Sequence, residues 1–183
     1  ADMPAVAVTE QGNLFSLVKF YRAAVAAGIK PIVGADVWVA DAENSPPARL
    51  TLLSLDQDGY RHLSELLSLG YQKGQAQGVP ILAHEWLEAR HAGLIILAGG
   101  VRGEVGQALL AAKPEVAKAA AARWQALAPD RFYLDVQRTG RRNEERYLNG
   151  AVDLAVDLDL PVVATNDVRF LKPDDFEAHE VRV

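Results

Sequence analysis

The sequence predicts an α/β domain built around a mostly parallel sheet or barrel, on three observations. Several short, continuous apolar runs have the character of strands covered on both faces. Segments of helical period lie between most of them, and that alternation implies right-handed crossover units. The 183 residues are 50% apolar and 23% charged, enough to bury a core and too apolar for disorder. No repeat, low-complexity tract or linker divides the chain, so a single domain over residues 1–183 is expected.

The first strand is expected at Ala5 to Val8. Because Met3-Pro4-Ala5-Val6 already reads as a buried strand, the chain reads as a piece of a longer protein. Leu14, Leu17, Val18 and Tyr21 recur at helical spacing, and Gly28 is placed to end that helix. Strands Ile32 to Val39 and Leu50 to Leu55 follow, joined by a polar loop, Asp41 to Pro47. Tyr60, Leu63, Leu66 and Leu67 mark a second helix. Gln72 to Pro80, with Gly74 and Gly78, reads as a loop. A short helix opens at His84 and closes near His91, and strand Leu94 to Leu97 leads into Gly99-Gly100. Val116 to Leu127 is alanine-rich and opens after Pro114, the pairing that starts a helix. Strand Phe132 to Val136, helix Tyr147 to Leu158 and strand Pro161 to Ala164 complete the order.

Charge and residue usage narrow the function. The formal charge of −5, from 19 basic and 24 acidic side chains, argues against a surface held on nucleic acid by bulk positive charge. Local basic clusters remain available for phosphate. The absence of cysteine removes disulfides, thiolate metal sites and cysteine nucleophiles together, and fits a reducing cytoplasm, where the protein is expected. No apolar run reaches membrane-spanning length, so no membrane partner is expected.

In α/β folds the chemistry gathers at the carboxyl ends of strands. Three carboxylates are placed there: Glu10, Asp36 and Asp167. Converging, they would bind a divalent cation or divide acid and base roles; standing apart, they would cap the following helices. None of the four histidines, His62, His84, His91 and His179, sits at these ends, and none has zinc-ligand spacing. Gly99-Gly100-Val101-Arg102-Gly103-Glu104 resembles a phosphate turn but lacks the dinucleotide and Walker patterns, so a tight strand-to-helix turn is expected. Arg138, Arg141, Arg142 and Arg146, interleaved with Glu144 and Glu145, read as a solvated helix start, with phosphate or acidic-partner docking as the other reading. No serine lies on a nucleophile elbow.

A resemblance adds to this reading. Pro4 to Glu10, Gly28 to Asp36, Gly59 to Leu63, Gly93 to Gly106, Arg131 to Leu134 and Val162 to Phe170 resemble, in order, the PHP (polymerase and histidinol phosphatase) domains of bacterial replicative DNA polymerases. The blocks Gly28 to Asp36 and Val162 to Phe170 are the most specific, and the resemblance covers essentially the whole chain. It implies a distorted (β/α)7 TIM-like barrel, here without its first strand, and a family site where cations activate water against phosphoesters.

Motif by motif, the family's ligands are replaced. Its Thr-Asp-His-Gly stands as Thr9-Glu10-Gln11-Gly12, its Gly-x-Glu as Gly34-Ala35-Asp36, and a ligand cysteine as Gly100. A histidine before glycine stands as Thr139, and Asn-Asp-x-His as Asn166-Asp167-Val168-Arg169. Glu10, Gln11, Asp36, Gly100, Thr139, Asp167 and Arg169 are therefore expected to be vestigial site positions, with no catalytic residue and no bound metal. Arg169 would replace a cation by pairing with Asp167, Asp36 or Glu10. The pattern resembles the proteobacterial branch.

The resemblance implies that the parent protein is a DNA-directed DNA polymerase with magnesium in its polymerase core. This domain would then be a scaffold that packs on the rest of the catalytic subunit and docks the proofreading exonuclease subunit. Other replicase subunits and primed DNA would be met through the parent. The alternatives are an active metal-dependent phosphoesterase, as nuclease or pyrophosphatase, and the same domain of the error-prone polymerase paralogue.

Overall fold

A chain whose apolar runs alternate with amphipathic segments folds by laying helices over a sheet, and these residues do so. The computed structural model describes residues 3–40, 46–168, 172–177 and 181. Strands are β1 (Ala5–Gln11), β2 (Lys30–Val39), β3 (Ala48–Ser54), β4 (Gln75–Ala76), β5 (Val79–Leu82), β6 (Leu94–Leu97), β7 (Phe132–Val136) and β8 (Val162–Ala164). Helices are α1 (Leu17–Ala26), α2 (Gln57–Lys73), α3 (His84–Glu88), α4 (Glu104–Leu110), α5 (Pro114–Leu127) and α6 (Glu144–Leu158). The sheet runs β4-β5-β2-β3-β6-β7-β8, with β1 on the same edge of β2 that β5 takes over at Trp38.

The strands expected at 94–97 and 132–136 have those bounds. One expectation is corrected. Residues 72–80 are not simply a loop: the end of α2 passes into the β4–β5 hairpin, whose two-residue turn places Gln77 and Gly78 at positive φ. The sheet is mostly parallel as expected, in four of the seven strand pairings among the described residues, and β3 is the main exception. β3 runs antiparallel to both β2 and β6, because the polar connection 41–47 is too short for a crossover helix. Most of that connection, residues 41–45, lies outside the described residues.

Register explains which side chains meet. Side chains alternate along a strand, so cross-strand partners share a face. Ala35, Val37, Val39, Leu50, Leu52, Leu94 and Ile96 lie on one face and enter the core with Leu63, Leu66, Trp124, Phe132 and Leu134. The opposite face carries Asp36 beside Thr51, Trp38 beside Arg49, and Asp135 two places after Tyr133, the partner of Leu97. The polar residues of otherwise apolar strands therefore gather on one side.

The helices cover the apolar face. α1 forms where the spacing predicts a helix, with Leu17 buried and Val18 and Tyr21 exposed. α2 begins at Asp56, whose carboxylate accepts from the Gly59 amide at 2.8 Å, and Asp56→Ala is expected to cost about 1 kcal/mol. Urea unfolding of the two proteins measures it.

Candidate functional site

The carboxyl ends of β2, β6, β7 and β8 lie at the same end of the sheet as the start of antiparallel β3. A cleft of about 300 Å³ opens there, lined by Arg49, the 99–102 turn, Gln137, Arg141, Arg142, Glu144 and Asp167. Broader grooves run along the outside of α2 and beside α1, away from these strand ends.

Asp36 is buried inside β2 rather than beyond its end, which corrects the strand-end assignment. Its carboxylate accepts from the Thr51 hydroxyl at 2.5 Å and forms an ion pair with Arg49. Burial pushes the Asp36 carboxyl above the usual aspartate value, and Arg49 and Thr51 pull it part of the way back. The charge of Asp167 adds a small push upward. Asp167 accepts from the Arg141 guanidinium at 2.7 Å. Arg169, expected as the partner of these acids, lies outside the described residues, as does His179. Among the described residues, Arg49 and Arg141 take that part.

Glu10 does not join them. It lies within β1 and accepts from the Ser16 amide at 2.8 Å just before α1, which is the capping alternative. Gln11 ends β1 with its side chain exposed. Gly100 is buried at φ +59, and its amide donates to the Asp135 carboxylate at 3.0 Å. The preceding Gly99 sits at φ +83, where a Cβ would stand 1.9 Å from the Arg49 carbonyl oxygen. The turn therefore needs glycine for close approach, and its amides face Asp135 instead of a ligand. Burial pushes the Asp135 carboxyl up, and the Gly100 and Gly99 amides hold it back. Tyr147 donates to the Asp135 carbonyl at 3.0 Å.

Thr139 meets a carboxylate, not a metal. Its hydroxyl and amide both donate to Glu144 at 2.6 Å, and the Arg141 amide donates at 3.2 Å. The Thr139 hydroxyl, with these amides, holds the Glu144 carboxyl below the usual glutamate value. A group lowered on folding stabilises above its unfolded pKa, and that support is lost as pH falls through the folded one. Glu144→Gln is therefore expected to lower stability at neutral pH, with the gap closing as acid protonates the wild-type carboxylate. Denaturation at neutral and strongly acidic pH checks it. The basic cluster pairs differently from its helical spacing: Arg138 meets Glu145 at 2.7 Å.

Among the described residues, His84 has a packing role. His84 is buried at the start of α3, with Nε2 2.8 Å from Glu104, which also accepts from Arg123 at 2.6 Å and the Trp124 indole at 2.9 Å. That cluster pins α3 to α4 and α5. His62 is half-buried, with Nδ1 2.8 Å from the Ala92 carbonyl. Burial lowers the pKa of His91.

Arg49, Thr51 and Asp135 are the site residues that strand-end reasoning missed. Their signal is a polar residue inside an apolar run: Arg49 and Thr51 in Ala48-Arg49-Leu50-Thr51-Leu52, Asp135 in Phe132-Tyr133-Leu134-Asp135-Val136. Arg49 escapes the rule because β3 is antiparallel and presents its first residues at this end.

A PHP-type cation cluster needs several carboxylate oxygens and imidazole nitrogens aimed at common points. Among the described residues, no three His, Asp or Glu side chains converge in that way. Asp36 and Asp167 face guanidinium groups, and Gly100 and Thr139 supply no imidazole or thiolate. The described residues do not fit such a cluster.

The PHP domain pattern matches residues 1–139, and the chain belongs to the PHP domain family. Within it, the chain is 52% identical over 182 residues to the DNA polymerase III subunit alpha of Pseudomonas fluorescens, covering 99% of this chain and 16% of that protein. The same subunit of Escherichia coli (strain K12) is 47% identical with the same coverage. That of Buchnera aphidicola is 41% identical over 100% of this chain and 16% of its own. The chain thus spans about a sixth of these relatives' length.

Solved structures agree on the fold. A putative metal-dependent phosphoesterase from Bifidobacterium adolescentis superposes with TM-score 0.52 at 11% identity, over 99% of this chain and 86% of that one. An amidohydrolase from Chromobacterium violaceum, with bound sulfate and no metal, gives 0.56 at 13%, over 98% and 86%.

Proposed function

We propose that this chain is a non-hydrolysing PHP scaffold within the catalytic alpha subunit of a bacterial replicative DNA polymerase III. The parent protein then extends primed DNA in the cytoplasm, with magnesium in a polymerase core outside these residues. The scaffold packs on the remainder of that subunit and carries the docking surface for the proofreading exonuclease within the replicase. The identity to alpha subunits across nearly the whole chain supports the parent assignment. One observation carries the loss of hydrolysis: Arg49 and Arg141 engage the acids Asp36 and Asp167. A guanidinium cannot deprotonate to ligate a metal, and it repels a cation from the carboxylate it holds.

The test uses the full-length protein with a phosphodiester and with pyrophosphate, in manganese or zinc. Wild type and Asp36→Asn are expected to show the same background turnover. Hydrolysis by the wild type that vanishes in the variant would establish the active phosphoesterase instead. Docking is tested separately, by whether destabilising this domain releases a co-purified exonuclease; retention of the exonuclease refutes it.

A further inference from the structure

The broad groove beside α1 opens at the amino ends of β2 and β6, the opposite end of the sheet from the family's site. It measures about 710 Å³, a size typical of binding sites. Its walls are apolar yet open to solvent: Val18, Leu55 and Tyr21 are 62%, 60% and 50% exposed. Three further features say what would cover them. The first is charge. Arg22 and Lys30 line the groove, and among the described residues neither forms an ion pair. The lining acid, Asp56, caps α2 and is answered by that helix's amino terminus. Asp58, beyond it, is paired with Arg61 at 3.1 Å. The groove is thus cationic in a chain whose formal charge is −5. The second feature is an orphaned hydroxyl: Ser54 Oγ is shielded from solvent in the groove lining and has no hydrogen-bond partner. The third is a strand edge. β3 pairs with β2 only from Gly34 onward, so residues 30–33, which line the groove, have no strand neighbour on that side among the described residues.

We infer that this groove receives an acidic, apolar segment of a second polypeptide, which sets carboxylates against Arg22 and Lys30 and apolar side chains among Val18, Tyr21 and Leu55. The inference rests on the docking half of the proposed function and adds the surface and the chemistry of what fills it; in that reading the second polypeptide is the exonuclease. A polypeptide suits the groove better than a small anion. It alone brings main-chain groups for the strand edge and the Ser54 hydroxyl together with apolar side chains. Pro31 brings no N–H, so the edge pairing is short and side chains carry most of the hold. A second copy of this chain fits poorly, because a two-fold contact sets Arg22 and Lys30 against their own counterparts.

Hydrogen exchange by mass spectrometry reads this on the full-length protein, alone and with purified exonuclease. At about ten times the dissociation constant, the exonuclease is expected to slow exchange about tenfold in peptides 17–22 and 52–60. Peptides 99–103 and 137–142, at the other end of the sheet, stay unchanged. Arg22→Glu/Lys30→Glu should weaken binding about tenfold or more, and Tyr21→Ala by a similar factor. Arg22→Lys/Lys30→Arg should bind as the wild type does. Raised salt should weaken the wild type more than the charge-reversed variant. These side chains are exposed, and unaltered exchange elsewhere in each variant reports an intact fold. Exchange in the groove peptides already at its slow limit in the protein alone assigns the groove to the remainder of the same polypeptide. Protection that grows with the concentration of the protein alone assigns it to a second copy. Either result overturns the inference. So does exonuclease binding that leaves these peptides unprotected or survives charge reversal, with docking then moved to another surface. An exonuclease retained when the domain is destabilised sinks the docking reading itself.

Discussion

Arg49→Met is expected to destabilise the domain by about 3–5 kcal/mol, because it strips the partner from a carboxylate buried inside β2. Both side chains are largely shielded, Arg49 at 16% and Asp36 at 11% exposure, so solvent screens the pair little. Thr51 alone then remains against a charge whose burial already pushes its pKa up. A carboxyl raised on folding is favoured where it is protonated, so its contribution falls as pH rises from the ordinary aspartate range through the folded pKa. The Arg49→Met deficit should accordingly be largest at neutral pH and narrow in acid. Arg49→Met/Asp36→Leu should recover most of the loss, since an apolar pair of similar volume leaves no stranded charge. Urea unfolding of the wild type, Arg49→Met, Asp36→Leu and the double variant forms the cycle. Single-variant deficits that simply add up in the double variant would show that the pair is not coupled.

Asp135→Ala is expected to cost about 3 kcal/mol, because the 99–100 turn loses the buried acceptor of its amides, each orphaned group costing about 1–3 kcal/mol. That turn also packs against Arg49, where a Gly99 Cβ would meet the carbonyl oxygen. Loosening it should therefore disturb the cleft as well as the fold. Asp135→Asn keeps an acceptor oxygen and should fall between wild type and alanine. Because burial raises the Asp135 carboxyl, the wild type loses this part of its stability as pH rises, and the asparagine variant should not. Thermal melts of all three at mildly acidic and neutral pH test both statements.

Much of the fold was legible because apolar period and punctuation are local. Leu94–Leu97 and Phe132–Val136 needed only a continuous apolar run to be placed, and Pro114 announced α5. The short β4–β5 hairpin was missed because two-residue strands carry no period. Leu14, Leu17, Val18 and Tyr21 announced α1 by their spacing, but period does not say what lies against a helix, and Val18 and Tyr21 face solvent.

At the site, the resemblance implied, residue by residue, that Gln11, Gly100 and Thr139 stand where the family has ligands. Their present partners were not legible there. Thr139 with Glu144 is a local turn, five residues apart, that spacing left undistinguished. Asp36 with Arg49 depends on the direction of β3, and Gly100 with Asp135 on two strands 35 residues apart coming side by side.

The amino-acid order alone determined an α/β chain of the PHP pattern, its principal strands and helices, and the absence of imidazole at the strand ends. Those properties follow from side-chain type and nearest-neighbour period. Only the tertiary structure decided which guanidinium answers which carboxylate, because an antiparallel β3 delivers Arg49 to the end of the sheet where its parallel neighbours finish. Charge pairing is set by distance in space, and strand direction, which no local pattern encodes, sets that distance.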